Sequence, residues 1–222
     1  MVLSDLHGAS FGAHNADLLA AVAAEQPEYI FFLGDLEDKY RGPEGRLPGG
    51  DARGLSAIAP TYYVTGNHEW AVGGVPALKE ILTANGVTVL SNQFVPLERN
   101  GDTITLAGID DPNGYAGQKS PEEVAGEVKE AASDGFWLLM AHRNNLFDGE
   151  YCRLGRIWCY RATATAASGG CLYRRPAGGG RTTAAQLYQR LYCCTDGHEA
   201  QVFVTRGLGG SPGSSTTRRW RC

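Results

Sequence analysis

The chain of 222 residues has a net charge of −4, with 43% hydrophobic and 20% charged residues. That is enough for one domain with a sizeable core. No run reaches the eighteen or so apolar residues of a membrane-spanning helix, and no charged-then-apolar leader precedes the first strand-like run. The charge is unevenly divided: residues 151–222 hold eleven Arg, no Lys and two acids, about +9, which leaves residues 1–150 at about −13. All six cysteines also follow residue 150, without a C-x-x-C, so their spacing predicts neither a zinc clip nor a disulfide framework.

In chain order, Val2-Leu3-Ser4 reads as a strand running into Asp5. Only four residues precede that aspartate, so sequence is expected to be missing upstream. Asn15 is placed to cap a helix over Ala16–Glu25, with Leu18, Leu19 and Val22 on one face. Tyr29–Leu33 is a continuous apolar run closed by Gly34, the pattern of a strand buried on both faces. The Gly/Pro/Arg-rich residues 39–55 read as a surface loop. Thr61–Thr65 is the next buried strand, stopped by Gly66.

A helix is expected over about Val75–Asn85, with Gly86 as its C′ residue. Val87–Leu90, Phe94–Glu98 and Thr103–Ile109 read as strands, the last two joined at Asn100-Gly101, a hairpin signal. Ser120-Pro121-Glu122-Glu123 opens a further helix with a cap, a proline and first-turn acids. Phe136–Ala141 is a buried strand ending at His142. Beyond about residue 155 periodicity is lost until Gln201–Thr205.

Three short motifs each follow an apolar strand. Asp5-Leu6-His7 comes first; if extended, alternation would set the carboxylate and imidazole on one side, where both can grip one cation. In Gly34-Asp35-Leu36-Glu37-Asp38 the glycine lets Asp35 turn onto the sheet's C-terminal edge, where α/β folds hold ligands. Gly66-Asn67-His68-Glu69 offers an amide oxygen beside an imidazole able to donate a proton. D-x-H alone is uninformative, but the three in this order, each at a strand end, point to a metal site. His14 reads as loop surface, and Tyr62 and Tyr63 as strand packing. Asp110 and Asp111 suit either support of the site or a capped turn before Pro112.

This series resembles the calcineurin-like metallophosphoesterases, whose pattern is D-x-H, G-D-x-x-[DR], G-N-H-[DE], a later strand-end histidine and finally G-H-x-H. Leu138–Arg143 resembles the fourth element, and Gly108–Pro112 is similar to a stretch of the membrane-anchored bacterial branch. The likeness runs from Val2 to about Gly155 and resumes over Tyr192–Gly210, with Thr205-Arg206-Gly207-Leu208-Gly209. It implies Asp5 and His7 on a first metal, Asp35 bridging, and Asn67 and His142 on a second. It further implies His68 as the proton donor, with Asp38 and Glu69 orienting the groups that bind and react. The ions would be two divalent cations, Mn, Fe or Zn, which this donor set does not separate. The reaction implied is hydrolysis of a phosphate mono- or diester by a hydroxide that two metals activate.

The last signature is missing. After His142 only His198 remains, in Thr195-Asp196-Gly197-His198-Glu199, with no second histidine two residues on. The family-like string alanine-D-L-V-L-S-G-H-G-H-G-G-Q, written in G/C-rich codons and read one base out of register, can give Arg156–Ser168, which motivates the hypothesis of a frame shift. A shifted frame also accounts for the excess of Arg, Cys and Gly, with Tyr192–Gly210 a return to frame and Ser214–Cys222 a second departure.

The expected fold is α/β, two mixed sheets packed as a sandwich between helices, with the C-terminal part incomplete. Residues 1–155 form the metallophosphoesterase domain, and 156–222 its anomalous continuation. The expected activity is phosphoester hydrolysis. The alternatives are a damaged homologue that binds metal weakly, and a non-enzymatic module whose basic tail contacts nucleic acid; nothing interleaves aromatic with basic residues to favour the last. The branch resemblance suggests a lipid-linked or membrane-proximal substrate, and no protein partner is implied. The chain as written is expected to be soluble and cytoplasmic by default, or membrane-associated if an anchor precedes it.

Overall fold

A computed structural model describes residues 1–38, 49–131, 136–143, 150–154, 157–162, 190–193, 200–205 and 207–208. Four parallel strands, β1 (Val2–Leu3), β2 (Ile30–Phe32), β3 (Thr61–Tyr63) and β4 (Val87–Val89), form one sheet in chain order. The second sheet holds β5 (Gln93–Arg99), β6 (Asp102–Gly108), β7 (Trp137–Ala141), β8 (Ile157–Ala162), β9 (Arg190–Cys193) and β10 (Gln201–Thr205), ordered β5-β6-β7-β8-β10-β9. It is mixed: β5/β6 and β9/β10 are antiparallel, and β6/β7, β7/β8 and β8/β10 are parallel. The expected sandwich is thus formed.

The continuous apolar runs are explained by what lies on each face. Phe31, Leu33, Val64 and Leu90 of the first sheet's side meet Leu97, Leu106, Leu138 and Met140 of the second, closing the core between the sheets. The alternate residues, Ile30, Phe32 and Tyr63, turn outward into a second cluster with Val22, Leu55, Leu78 and Leu82. Those last four come from α1 (Ala16–Ala24), α2 (Gly49–Ile58) and α4 (Val75–Ala84), the short α3 (Asn67–Val72) following β3. On the far face of the second sheet, Trp137, Leu139 and Ala141 pack on Val124, Ala125 and Val128 of α5 (Pro121–Ala131), and on Tyr151 and Leu154. Strands covered on both faces have no side to leave polar, and each fully buried Leu or Phe is worth roughly 1.5–3 kcal/mol.

Local signals hold in most places. Asn100 and Gly101, at φ 54° and 89°, make the β5–β6 turn. The backbone N–H of Glu123 donates to Ser120 Oγ at 3.2 Å and that of Ser120 to Glu123 Oε2 at 2.7 Å, a reciprocal capping box.

Three expectations are corrected. Residues 49–55, the end of the stretch read as a loop, belong to the helix α2. Ala52, Leu55 and Ala59 are buried there, and this burial outweighs the poor helix propensity of the glycines. Asn15 precedes α1 without capping it by its side chain. Its Oδ1 accepts from the Phe11 N–H at 2.7 Å, and its Nδ2 donates to Asp51 at 2.8 Å, so tertiary partners have replaced the cap. Cys152 is buried and disulfide-bonded, although the cysteine spacing suggested no such bridge; tertiary proximity, which spacing does not report, sets such pairs.

Candidate metal centre

The three motifs and the strand-end histidine meet at the C-terminal edge of the two sheets. Asp5, Asp35 and Asn67–His68 follow β1, β2 and β3, which are hydrogen-bonded neighbours, and His142 follows β7 of the facing sheet. The backbone zips the first two loops together: Asp5 N–H donates to Gly34 O at 3.0 Å, His7 to Asp35 O at 2.9 Å and Gly8 to Leu36 O at 3.0 Å. Asp5, His7 and Asp35 all have φ near +50°. Asp5-Leu6-His7 is therefore not the extended segment expected. A tight turn, rather than strand alternation, brings its two side chains together, and such left-handed non-glycine residues are held only where their surroundings over-determine them.

Nε2 of His7 lies 3.7 Å from both Asp5 Oδ1 and Asp35 Oδ2, too far for a hydrogen bond and a fitting separation for donors sharing a cation. The ligand atoms of Asp5, His7 and Asp35 all fall within 4.8 Å of one another, as do those of His7, Asp38 and His68. Oδ2 of Asp5 and both ring nitrogens of His7 are buried without a hydrogen-bond partner. Buried polar atoms left in that state are costly, and a cation would take up the Asp5 carboxylate and one of the two His7 nitrogens. On this observation the donor set fits a divalent metal.

On the other side of Asp35, His142 Nε2 lies 3.3 Å from Asp35 Oδ2 and 3.2 Å from Asn67 Oδ1. Its Nδ1 is 2.7 Å from the Leu33 carbonyl, so Nδ1 carries a proton and donates it there, which turns Nε2 towards Asp35 and Asn67. Burial alone would lower the pKa of His142; the hydrogen bond and charge of Asp35 outweigh it and push it up to about 10. Burial likewise opposes ionisation of Asp35, but the His142 contacts prevail and hold its carboxyl below the usual range. For His7, burial is opposed by Asp5, Asp35 and Asp38, which raise its pKa. Without a cation, protons on the imidazoles balance the carboxylates.

Two more motif residues have defined places. Nδ1 of His68 is 3.4 Å from Asp38 Oδ1, and its ring meets that of His7 edge-on at 4.5 Å. The carboxylate of Glu69 is fully buried and accepts from four backbone N–H groups: Asp35 at 3.0 Å, Leu36 at 2.6 Å, Glu37 at 3.1 Å and Gly66 at 2.7 Å. Burial and the Asp35 charge push it up to about 7, against the pull of those N–H donors. Gly66 is required by close approach, since a Cβ there would lie 2.3 Å from Asp35 Oδ1 and 2.9 Å from His142 Cε1.

The sequence reading left Asp110 and Asp111 between two roles, and the structure supports both. Asp110 accepts from Thr65 at 2.6 Å and Lys79 at 2.7 Å, bracing the strand end before Gly66. Asp111 accepts from the Asn113 N–H at 2.9 Å, closing a turn, and also takes Arg143 through Nε at 2.7 Å and an Nη at 3.0 Å. Sequence reasoning missed Arg143, whose only signal was its position after His142. His14 is exposed, as expected.

From the C-terminal part, Gly207 (φ +79°) lies against Asp5, where a Cβ would come within 2.6 Å of the Asp5 Cβ, and Leu208 N–H donates to Ser4 O at 2.8 Å. Gly207 and Leu208, within the Tyr192–Gly210 stretch where the resemblance resumes, are thus seated on the first motif. No other histidine joins the group among the described residues; His198 and Arg156 lie outside them, as does most of the stretch to Ser168.

A two-sheet α/β sandwich with Asp, His and Asn side chains converging at strand ends defines a metallophosphoesterase-type fold. Residues 1–162 match the family described as calcineurin-like phosphoesterase, and the chain belongs to it. A Danio rerio protein named transmembrane protein with metallophosphoesterase domain is 30% identical over 155 residues, covering 64% of this chain and 34% of its own. YpbG of Bacillus subtilis is 32% identical over 109 residues, 49% of this chain and 40% of its own. The chain spans well under half the length of these curated relatives. Among solved structures, the Haemophilus influenzae NAD nucleotidase NadN superposes with a TM-score of 0.59 at 17% identity, over 93% of this chain and 44% of that one. The Mycobacterium tuberculosis phosphopantetheinyl hydrolase gives 0.53 at 12%, over 93% and 88%. At these identities the likeness establishes the fold. No helix among the described residues is long and apolar enough to cross a membrane.

Proposed function

We propose that the chain is a metal-dependent phosphoesterase that hydrolyses a phosphate mono- or diester with two divalent cations. The observation that carries this reading is the set of buried, unpartnered donors, Asp5 Oδ2 and both His7 nitrogens, facing Asp35 at the strand ends. Asp5, His7 and Asp35 would hold one ion, and Asp35, Asn67 and His142 the other. When bound, the pair of ions supplies Lewis-acid chemistry, lowering the pKa of water and offsetting charge on the phosphoryl group.

The chain's own groups have separate tasks. Leu33 O fixes the His142 ring so that Nε2 is presented. Glu69 ties the Asp35 loop to Gly66, so the ligands of two motifs move as one body. His68, with Asp38 beside Nδ1, is placed to give a proton to the leaving alkoxide from its other nitrogen, and the carboxylate keeps that imidazole oriented. Residues 1–155 would form the functional domain. The ion identity, among Mn, Fe and Zn, is open to the donor chemistry. A lipid-linked or membrane-proximal substrate is part of this reading through the resemblance of Gly108–Pro112 to the membrane-anchored branch.

Turnover of an aryl phosphate mono- or diester with added Mn²⁺, lost in Asp35→Asn, is the result expected. No turnover with Mn²⁺, Fe²⁺ or Zn²⁺, by a chain that folds, would overturn it. One observation favours a second reading, a homologue of impaired metal binding: the described residues bring together no histidines beyond His7, His68 and His142. Less than one ion per chain at saturating Mn²⁺ would select it.

A further inference from the structure

The edge that carries the metal donors is strongly acidic: Asp5, Asp35, Asp38, Glu69, Asp110 and Asp111 are all buried there. An anionic ester approaching it needs a cation with donors to spare. Lys79 has none to offer readily, since its ammonium is 2.7 Å from Asp110, 2.6 Å from Ser91 Oγ and 5.4 Å from the centroid of the Trp70 ring. Arg143 differs. It follows His142 directly, its side chain is 28% exposed, and Asp111, itself wholly buried, takes Nε and one Nη. A guanidinium has five N–H donors in two usable edges, so this pairing leaves the Nη1/Nη2 edge without a hydrogen bond among the described residues. Arg143 follows His142 at the C-terminal end of β7, the edge where the candidate metal donors lie.

We propose that Arg143, held in place by Asp111, is a substrate-binding residue whose free guanidinium edge takes the non-bridging oxygens of a terminal phosphate. A planar fork fits phosphate oxygens in pairs, and anchoring the opposite edge to a buried carboxylate removes most of its rotamer freedom beforehand. A monoester dianion offers one more charged oxygen than a diester, so this contact favours phosphomonoesters. The inference rests on the phosphoesterase reading for its substrate class, and the geometry of the pair supplies the rest.

The test compares wild type with Arg143→Gln and Arg143→Lys, in Mn²⁺, on aryl phosphate mono- and diesters, with metal content measured in each. A charged hydrogen bond of the usual strength predicts that Arg143→Gln raises KM for the monoester, and the inhibition constant of inorganic phosphate, by about tenfold or more. The diester KM should change by less than about twofold, kcat should fall less than KM rises, and lysine should recover part of the loss. Equal losses on both esters, with unchanged KM or with falling metal content, would overturn the proposal and leave Arg143 a brace for the 110–113 turn. Should the wild type show no turnover, the phosphoesterase reading fails by itself. Inorganic phosphate binding followed by ³¹P NMR then decides for Arg143: weaker binding in Arg143→Gln supports it, and equal or absent binding in both chains overturns it. Should Arg143→Gln not fold, Asp111→Asn, which keeps the guanidinium but loosens its anchor, must still weaken phosphate binding; unchanged binding overturns the proposal.

Discussion

His142 Nε2 and Asp35 Oδ2 stand 3.3 Å apart, joining the end of a strand in one sheet to the end of a strand in the other. This pair makes the metal centre a property of the sandwich rather than of either sheet. Leu33 O and Asn67 Oδ1 complete the surroundings of the imidazole, so a shift of one sheet against the other would spread three contacts at once. Four predictions follow from that arrangement and from the loops around it.

Asp35 lies between both donor groups, so Asp35→Asn should reduce Mn²⁺ affinity by about a hundredfold or more, since it removes the charge that the two proposed ions would share. His142→Ala should affect one ion only. Isothermal titration separates them, with loss of all binding expected for the first and retention of one site for the second. Equal stoichiometry in both variants would contradict the bridging role.

Glu69→Ala should destabilise the fold as well as the centre. It leaves four buried backbone N–H groups, at Asp35, Leu36, Glu37 and Gly66, without their acceptor. At roughly 1–3 kcal/mol for each group that water does not rescue, a loss of about 3 kcal/mol or more is expected in urea unfolding. A change under about 1 kcal/mol would show that the clamp is dispensable.

In the metal-free chain, stability should fall with rising pH across neutrality. The pKa of His142 is raised from 6.5 to about 10. Its contribution is therefore complete below 6.5 and lost as pH climbs through 10. Glu69, pushed up to about 7 from 4.5, acts in the same direction between those values. Tm of EDTA-treated protein between pH 6 and 10 is the measurement, and His142→Asn should flatten the profile. Metal uptake should show the reverse dependence, improving with pH as the cations displace those protons. A metal-free Tm that rises with pH would contradict the assignment.

If residues 156–168 are read out of frame, a shifted frame of the coding DNA beyond codon 155 should encode a G-H-x-H. Replacing residues 156–168 by the in-frame string should then add ligands, tighten Mn²⁺ binding and increase turnover. The strand β8 (Ile157–Ala162) runs parallel to β7, so its own end at Ala162 lies at the same edge as His142. No such frame in the gene, or no gain in metal on replacement, would leave the basic stretch needing another account.

Much of the front part was legible from sequence because its signals are local. Apolar runs of strand length, two of them closed by Gly34 and Gly66, reflect strands buried on both faces, and motifs at their ends inherit the sheet edge as their place. The helix α2 was not legible, because burial of Ala52 and Leu55 on the first sheet decides it against local composition. The Asn15 contacts, the Cys152 bridge and the seating of Gly207 on Asp5 were hidden for the same reason: each depends on a partner remote in the chain.

By itself the sequence determined the family, the sandwich, and the candidates Asp5, His7, Asp35, Asp38, Asn67, His68, Glu69 and His142, since residue type and strand-end position are written locally. Only the tertiary structure decided how those residues face one another. It put His7 in a left-handed turn, set His142 against Asp35 across two sheets, bound Glu69 to four backbone amides and anchored Arg143 on Asp111. Distances between side chains on separate strands follow from packing of the sheets, and no single stretch of chain encodes that packing.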